Sequence, residues 1–453
     1  MKTQLTLTAA LLLSTTAVSA AGIDRSLTNY GTLFETGNYV ELSYAGVRPD
    51  VSGTYPPAVA AAFGGETSTG VMSRDFSTLS ISAKYDLTDR LAVGLFSNQP
   101  FGADALYPQG AYQGLQAEWN SRGTTVVLKY KVSPNISVYG GVRSIVSQAD
   151  ILIPNQLVGA SAASQLADGA RQAAAGAQQA ADGALAAQAA AEAAALAGDF
   201  ATAATLGQQA LDLATQAQTL AAQAQAAAGQ AQAILDPANA TTGPFTYTAN
   251  TDSDRQTSYL IGAAYEKPEI ALRVALTYES GYTHSFDTTE NLAAAGLADL
   301  QSVTRISMPD VYTLDFQSGV AKDTLVFGSI RHATWSDWEV RPIGYETATG
   351  GERVTGIDSD STTYRIGVGR KFSDAFSGFA RVTYEPGNGD VASRLAPTDG
   401  STSFGVGGTY TNGPIKLTGG VEYIKFGEAT DDSGTVFADN DAVALGLSVG
   451  YRF

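Results

Sequence analysis

The chain contains no cysteine, two histidines and few charges, which make up 16% of its 453 residues. Without Cys there is no disulfide framework, no thiolate nucleophile and no sulfur-ligated metal site. His284 and His332 would have to carry any Ser–His or Asp–His hydrolytic site, and no Gly-x-Ser-x-Gly motif accompanies them. Each lies among strand residues and reads as a lumen or interface side chain. Clustered metal ligands and phosphate-cradling glycine loops are missing as well. The sequence therefore reads as a non-enzyme with no cofactor and no metal. Basic residues are also scarce: 27 Lys and Arg stand against 44 Asp and Glu, a formal charge of −17. That balance argues against nucleic-acid binding and for solvated acidic loops.

Long apolar runs are missing too. Met1–Ala20 has the form of a secretory signal, with Lys2 at the start, Leu5–Leu13 as apolar core and Val18-Ser19-Ala20 as cleavage site. Cleavage is expected after Ala20, with Ala21 the runner-up. No later segment offers some twenty uninterrupted apolar residues, so no transmembrane helix is expected. What the chain has in quantity is 48 Gly, 21 Tyr and 17 Phe. That bias favours strands, tight turns and interfacial aromatic girdles. The length would suit about three soluble domains, or one large barrel.

The two-residue period is clearest at the end of the chain. In Ala442–Phe453, Val443, Leu445, Leu447, Val449, Tyr451 and Phe453 share one face, and small or polar residues share the other. A final aromatic after such a strand reads as the signal that the barrel assembly machinery engages, here through Phe453; an edge strand of a soluble sandwich is the alternative. Similar strands are read at 39–46, 78–87, 91–98, 116–132, 136–153, 255–266 and 270–286. Others follow at 309–320, 324–340, 361–371, 376–385, 401–410 and 415–426, giving fourteen in all. Connections alternate short and long, as a membrane barrel requires, because only a closed sheet leaves no edge exposed to lipid. The expected fold is all-β, a 14-stranded antiparallel transmembrane β-barrel over residues 38–453 behind a short N-terminal hatch at 21–37. An exported barrel of this kind belongs in a bacterial outer membrane, where the acidic loops could meet lipopolysaccharide through divalent cations.

Residues 159–235 interrupt the pattern with Ala- and Gln-rich low-complexity sequence. Ala and Gln are strong helix formers, Gly198-Asp199 offers a break and Asp236-Pro237 a stop. The segment reads as an α-helical hairpin in the third outer loop, with arms at 160–197 and 201–235. It could serve as a spacer or help to capture a ligand or partner; disorder is the third reading.

Several stretches resemble the FadL/TodX-type family of outer-membrane transporters for long-chain fatty acids and other hydrophobic compounds. They are LFETGNYVELSY (33–44), NQPFGA (98–103), YQGLQAEWNS (112–121), MPDVYTLDF (308–316), ATWSDWEV (333–340), TYRIGVG (363–369) and the terminal YRF. The resemblance implies a fourteen-stranded barrel with an N-terminal plug. It also implies capture of substrate by outer loops three and four, and lateral release through a kink in strand three. Here that kink would fall at Asn98, Pro100, Phe101 and Gly102, since Pro removes a ladder donor and Gly loosens a strand; Pro100 could equally just begin the second outer loop. Leu292, Leu297 and Leu300 are spaced for an apolar helical turn in loop four. Strand parity puts Arg143, Arg273, Arg365 and Arg381 in the lumen, where they would bind a carboxylate or join an ion-pair lattice with Glu41, Glu279, Glu385 and Glu422. The family's Asn-Pro-Ala hatch stretch has no counterpart, and the hatch is short. The leading reading is passive transport of hydrophobic molecules, with long-chain fatty acids as the first substrate class. A structural or adhesion barrel displaying the hairpin and a general porin are the alternatives.

Overall fold

The computed structural model describes residues 23–453; the signal-peptide reading of Met1–Ala20 lies outside the described residues. Strands β1 (Tyr39–Asp50), β2 (Phe76–Asp86), β3 (Leu91–Asn98), β4 (Gln116–Lys131) and β5 (Ile136–Ile153) form the first part of one sheet. They continue as β6 (Asp254–Lys267), β7 (Leu272–Glu279), β8 (Val311–Ala321), β9 (Thr324–Ala333) and β10 (Ser361–Lys371). The last four are β11 (Phe376–Glu385), β12 (Ser401–Asn412), β13 (Ile415–Phe426) and β14 (Asp441–Arg452). Each pairs antiparallel with the next. Closure comes from β14, which pairs with β1 from Tyr39↔Arg452 to Asp50↔Asp441. The result is the expected 14-stranded closed barrel, with short turns at one end and long connections at the other. No helix among the described residues is long and apolar enough to cross a membrane.

The alternation of the sequence becomes two surfaces. Leu42, Leu79, Leu95, Val126 and Leu445 face outward and are about half exposed, while Glu41, Ser82, Lys84, Thr125 and Ala444 are buried inside. An exposed apolar band over a polar interior is the inverse of a soluble sandwich.

Two strands end earlier than the sequence suggests. The strand read at 270–286 breaks at Ser280-Gly281, where Asp310 accepts from Gly281 N (2.7 Å) and Tyr278 Oη (2.8 Å). The strand read at 324–340 stops at Ala333, and Trp335–Asp337 forms a 3-10 turn. Loop four is also not a helical turn. Tyr282–Leu292 and Leu297–Met308 form a β-hairpin turning through Gly296 at φ 72°. β-Branched Thr283, Thr288, Thr289, Val303, Thr304 and Ile306 favour the extended state and outweigh the leucine spacing.

Residues 153–246 form a separate compact unit. Its two long helices, Ala160–Leu196 and Phe200–Leu235, turn through Gly198 (φ 84°), and Asp199 caps the second by accepting from Thr202 N at 3.1 Å. They interlock by size. A Cβ on Gly176 would lie 3.3 Å from Leu220 and one on Gly183 3.4 Å from Leu213, so leucines of the second arm sit in glycine gaps of the first. Replacing both Leu213 and Leu220 by Ala should destabilise the hairpin by about 1–2 kcal/mol per site, since both are only partly buried. The helical dichroism of the variant should then melt at lower temperature; an unchanged melt would show that these contacts do not hold the arms together.

Candidate functional site: an apolar chamber, a plugged lumen and a broken strand

The N-terminal segment is short, yet it reaches strands all around the barrel, which places it inside. Tyr30 Oη donates to Glu279 on β7 at 2.7 Å, and Asp24 pairs with Arg331 on β9 at 2.9 Å. Ser26 and Thr32 meet Ser80 and Ser82 on β2 at 3.0 and 2.8 Å. Lys129 on β4 donates to the Leu33 carbonyl at 3.1 Å. Near the turn end, Glu35 accepts from Lys416 (2.8 Å) and Arg452 (3.1 Å). Burial alone would raise the Glu35 carboxyl, but these two cations outweigh it and hold it below its ordinary value. Leu33 is fixed by apolar contact with Phe96, Val127, Tyr139 and Leu260. Even without the missing Asn-Pro-Ala stretch, this short segment is anchored to the wall at intervals from Asp24 to Glu35.

Of the residues read as a kink, Pro100 and Phe101 lie in an interruption of the ladder, and Asn98 and Gly102 are the paired residues that flank it. The β3–β4 ladder runs to Asn98↔Gly123 and resumes at Gly102↔Asn120, so Gln99, Pro100 and Phe101 oppose only Ser121 and Arg122. On the other flank the β2–β3 ladder stops at Ile81↔Ser97, although β2 itself extends to Phe76. The next contact between these neighbours is the Ser73↔Ala105 bridge. Between them the N-terminal segment supplies the missing partners. Gly102 N donates to Ile23 O at 2.8 Å, Arg25 N to Pro100 O at 2.9 Å and Asn98 Nδ2 to Ser26 O at 2.7 Å. Arg25 also stacks over Phe76, 3.6 Å from the ring centroid.

Two cavities lie on either side of Ile23-Asp24. The first, about 110 Å³, is apolar, and its walls include Ile23, Trp119, Ile151, Ile306, Trp338 and Val340, with Val391 and Leu395 contributed by the sixth long loop. Behind these walls Phe101, Phe286, Met308 and Trp335 complete a continuous apolar cluster. The second, about 100 Å³, lies against β7 to β10 and differs in carrying the charged groups Arg273, Asp315, Arg331 and Arg365 on its walls.

The four arginines read from parity divide into two pairs. Arg143 pairs with Glu279 at 3.0 Å and Arg381 pairs with Glu422, so these two belong to a lumen ion-pair lattice. Arg273 and Arg365 form no ion pair among the described residues. Arg273 lies over the Phe34 ring at 4.6 Å, and Arg365 Nε donates to Thr383 at 3.3 Å. Glu41 accepts from Tyr39 (2.8 Å) and Glu385 from Thr363 (2.6 Å). Since Arg331 is satisfied by Asp24 and Glu279 by Arg143, the second cavity holds two free guanidinium groups against one carboxylate, Asp315. Sequence reading missed Arg331.

Leu292, Leu297 and Leu300 do not line either cavity. They sit at the tip of the loop-four hairpin, where Leu292 pairs across to Leu297 and Leu300 packs near Gly344. That tip is tied to the helix Ile343–Thr349 by buried Glu290, which accepts from Gly344 N (3.1 Å), Tyr345 N (3.0 Å) and Tyr247 Oη (2.8 Å). Of the two histidines, His284 is buried beside Trp119, and His332 sits half exposed on β9 with Nδ1 2.9 Å from Thr362 Oγ1.

Comparison with solved structures agrees with this architecture. A Pseudomonas aeruginosa FadL homologue superposes with a TM-score of 0.58 at 12% identity, over 93% of this chain and 92% of that one. The Pseudomonas putida toluene transporter TodX gives 0.54 at 11% identity, over 97% and 98%. The Ralstonia pickettii toluene transporter TbuX gives 0.53 at 11%, over 96% and 92%. No protein-family model matches the sequence, and no curated protein matches it. The fold of the chain is that of FadL/TodX-type channels.

Replacing Asp24 by Asn should leave the Arg331 cation buried without its partner, a loss of about 3–5 kcal/mol to the plugged state. The variant is expected to show higher ion conductance than the parent in planar bilayers. Equal conductance would mean that the Asp24–Arg331 pair does not hold the plug.

Proposed function

We propose that this chain is an outer-membrane channel for passive uptake of hydrophobic small molecules, with long-chain fatty acids as the substrate class. The observation that carries the reading is the apolar chamber beneath the outer loops, adjoining a wall whose third strand is broken. Apolar burial supplies about 0.8 kcal/mol per methylene to hold a chain there. The names of the solved structures with this fold support hydrophobic cargo. Fatty acid is favoured over plain hydrocarbon because Arg273 and Arg365 leave an uncompensated positive charge in the lumen, which a single carboxylate would neutralise. The exposed apolar outer band and the C-terminal aromatic support residence in the bacterial outer membrane after export, with Phe453 as the handle for barrel assembly. The helical insert serves in this reading as an accessory to capture in the third outer loop.

Cells lacking their own fatty acid transporter should take up oleate when they express the intact chain. Combined Arg273→Ala and Arg365→Ala should lower oleate uptake roughly tenfold while sparing an alkane of equal length. Removing one residue from Gln99–Phe101 would equalise the strand count with Ser121-Arg122 and should reduce uptake of both. Removal of residues 160–235 should lower uptake at limiting substrate only. A folded parent that transports neither oleate nor alkane would leave a structural, hairpin-displaying barrel as the better account.

A further inference from the structure

The three tryptophans of the chain, Trp119, Trp335 and Trp338, fall in one place although they lie on β4 and in the segment after β9. Their rings touch in series: Trp119 to Trp338 at 6.4 Å and Trp338 to Trp335 at 6.4 Å between centroids. Trp119 also meets His284 edge-on at 6.0 Å, and His284 meets Tyr282 at 5.2 Å. Trp119 and Trp338 are wall residues of the apolar chamber. All three indole N–H groups are buried without a hydrogen-bond partner among the described residues, and so are Tyr282 Oη and His284 Nε2. The other ring nitrogen of His284 is held by Asp254 at 2.7 Å.

Buried indole N–H groups ordinarily find an acceptor, and one left unpaired keeps the full desolvation cost of a donor. Here all three unpaired indole donors fall in a single aromatic cluster, and two of those rings, Trp119 and Trp338, border a cavity. A hydrocarbon entering the chamber would gain apolar contact and leave every donor unpaired. A molecule of the same shape with one oxygen acceptor would gain that contact and also recover a donor once an indole ring turns its N–H towards the chamber. Discrimination by a buried polar group against a ligand that lacks its partner is the strongest kind a pocket can build.

We propose that Trp119 and Trp338 are specificity-determining residues of the apolar chamber, and that they favour hydrophobic molecules carrying an oxygen acceptor over the corresponding hydrocarbons. The inference rests on the chamber being a site for hydrophobic ligands. It concerns the chamber at the outer loops and is separate from the charge recognition assigned to Arg273 and Arg365.

The full chain, purified and placed in lipid nanodiscs, is titrated with decane and with 2-decanone while tryptophan emission is followed. Every tryptophan of the protein is in this cluster, so the emission reports the chamber directly. Trp119→Phe and Trp338→Phe each keep a ring and remove one donor, and the heat-modifiable gel shift shows whether each variant is a folded barrel. The ketone should bind the parent more tightly than the alkane. Each substitution should lower that preference, read as the ratio of ketone to alkane affinity within the same variant, roughly three- to tenfold. Equal affinities in the parent, or a preference unaltered in both variants, would overturn the inference and leave the chamber as a hydrophobic site. No emission response to either molecule from a folded parent would overturn both the inference and the chamber reading. If one variant fails to fold, the parent preference and the other variant decide.

Discussion

Everything in this structure follows from the pairing of β1 with β14. A sheet surrounded by hydrocarbon cannot leave a row of backbone N–H and C=O groups unpaired, since each would cost several kcal/mol. The twelve-residue ladder from Tyr39↔Arg452 to Asp50↔Asp441 removes that edge. Once the sheet is closed, parity decides the rest: one face of every strand must be apolar, and the other is released to hold charges. The lumen uses that freedom for Lys84, Lys129, Lys416 and Arg331, the groups that tie down the N-terminal segment.

Closure also gives meaning to the place between β2 and β3 where the wall is incomplete. A gap between β2 and β3 would be an unpaired edge if left open, and the N-terminal residues 23–26 supply the partners there. The same segment passes between the apolar chamber and the charged cavity. Wall, plug and cavities are thus one problem in backbone satisfaction, solved by a few residues of irregular chain. A hydrophobic molecule that moves from the chamber towards the break must compete with these hydrogen bonds, each worth about 0.5–1.5 kcal/mol net.

The barrel was legible in the sequence because alternation and turn chemistry repeat in every strand, so fourteen weak signals add up. The stretches of family resemblance were informative for a reason that became visible only in three dimensions. Phe101, Trp119, Met308, Trp335 and Trp338 come from four of them and meet in a single apolar cluster. Parity placed the arginines in the lumen correctly but could not say which would find a carboxylate, because that depends on register across several strands. Loop four was misread for a local reason: three leucines at helical spacing stood out, while the β-branched residues around them set the backbone. Arg331 and the partners of the plug were invisible, since long-range pairs such as Asp24–Arg331 leave no trace in local pattern.

The central claim is that a hydrophobic chain enters the barrel at the aromatic chamber. The direct measurement is a crystal structure of the full chain with an ω-bromo fatty acid, locating bromine by anomalous scattering. The account predicts bromine within the chamber walled by Trp119, Ile306 and Trp338, with the chain continuing towards Ile23. Bromine found only on the lipid-facing band, with the chamber unchanged, would contradict it.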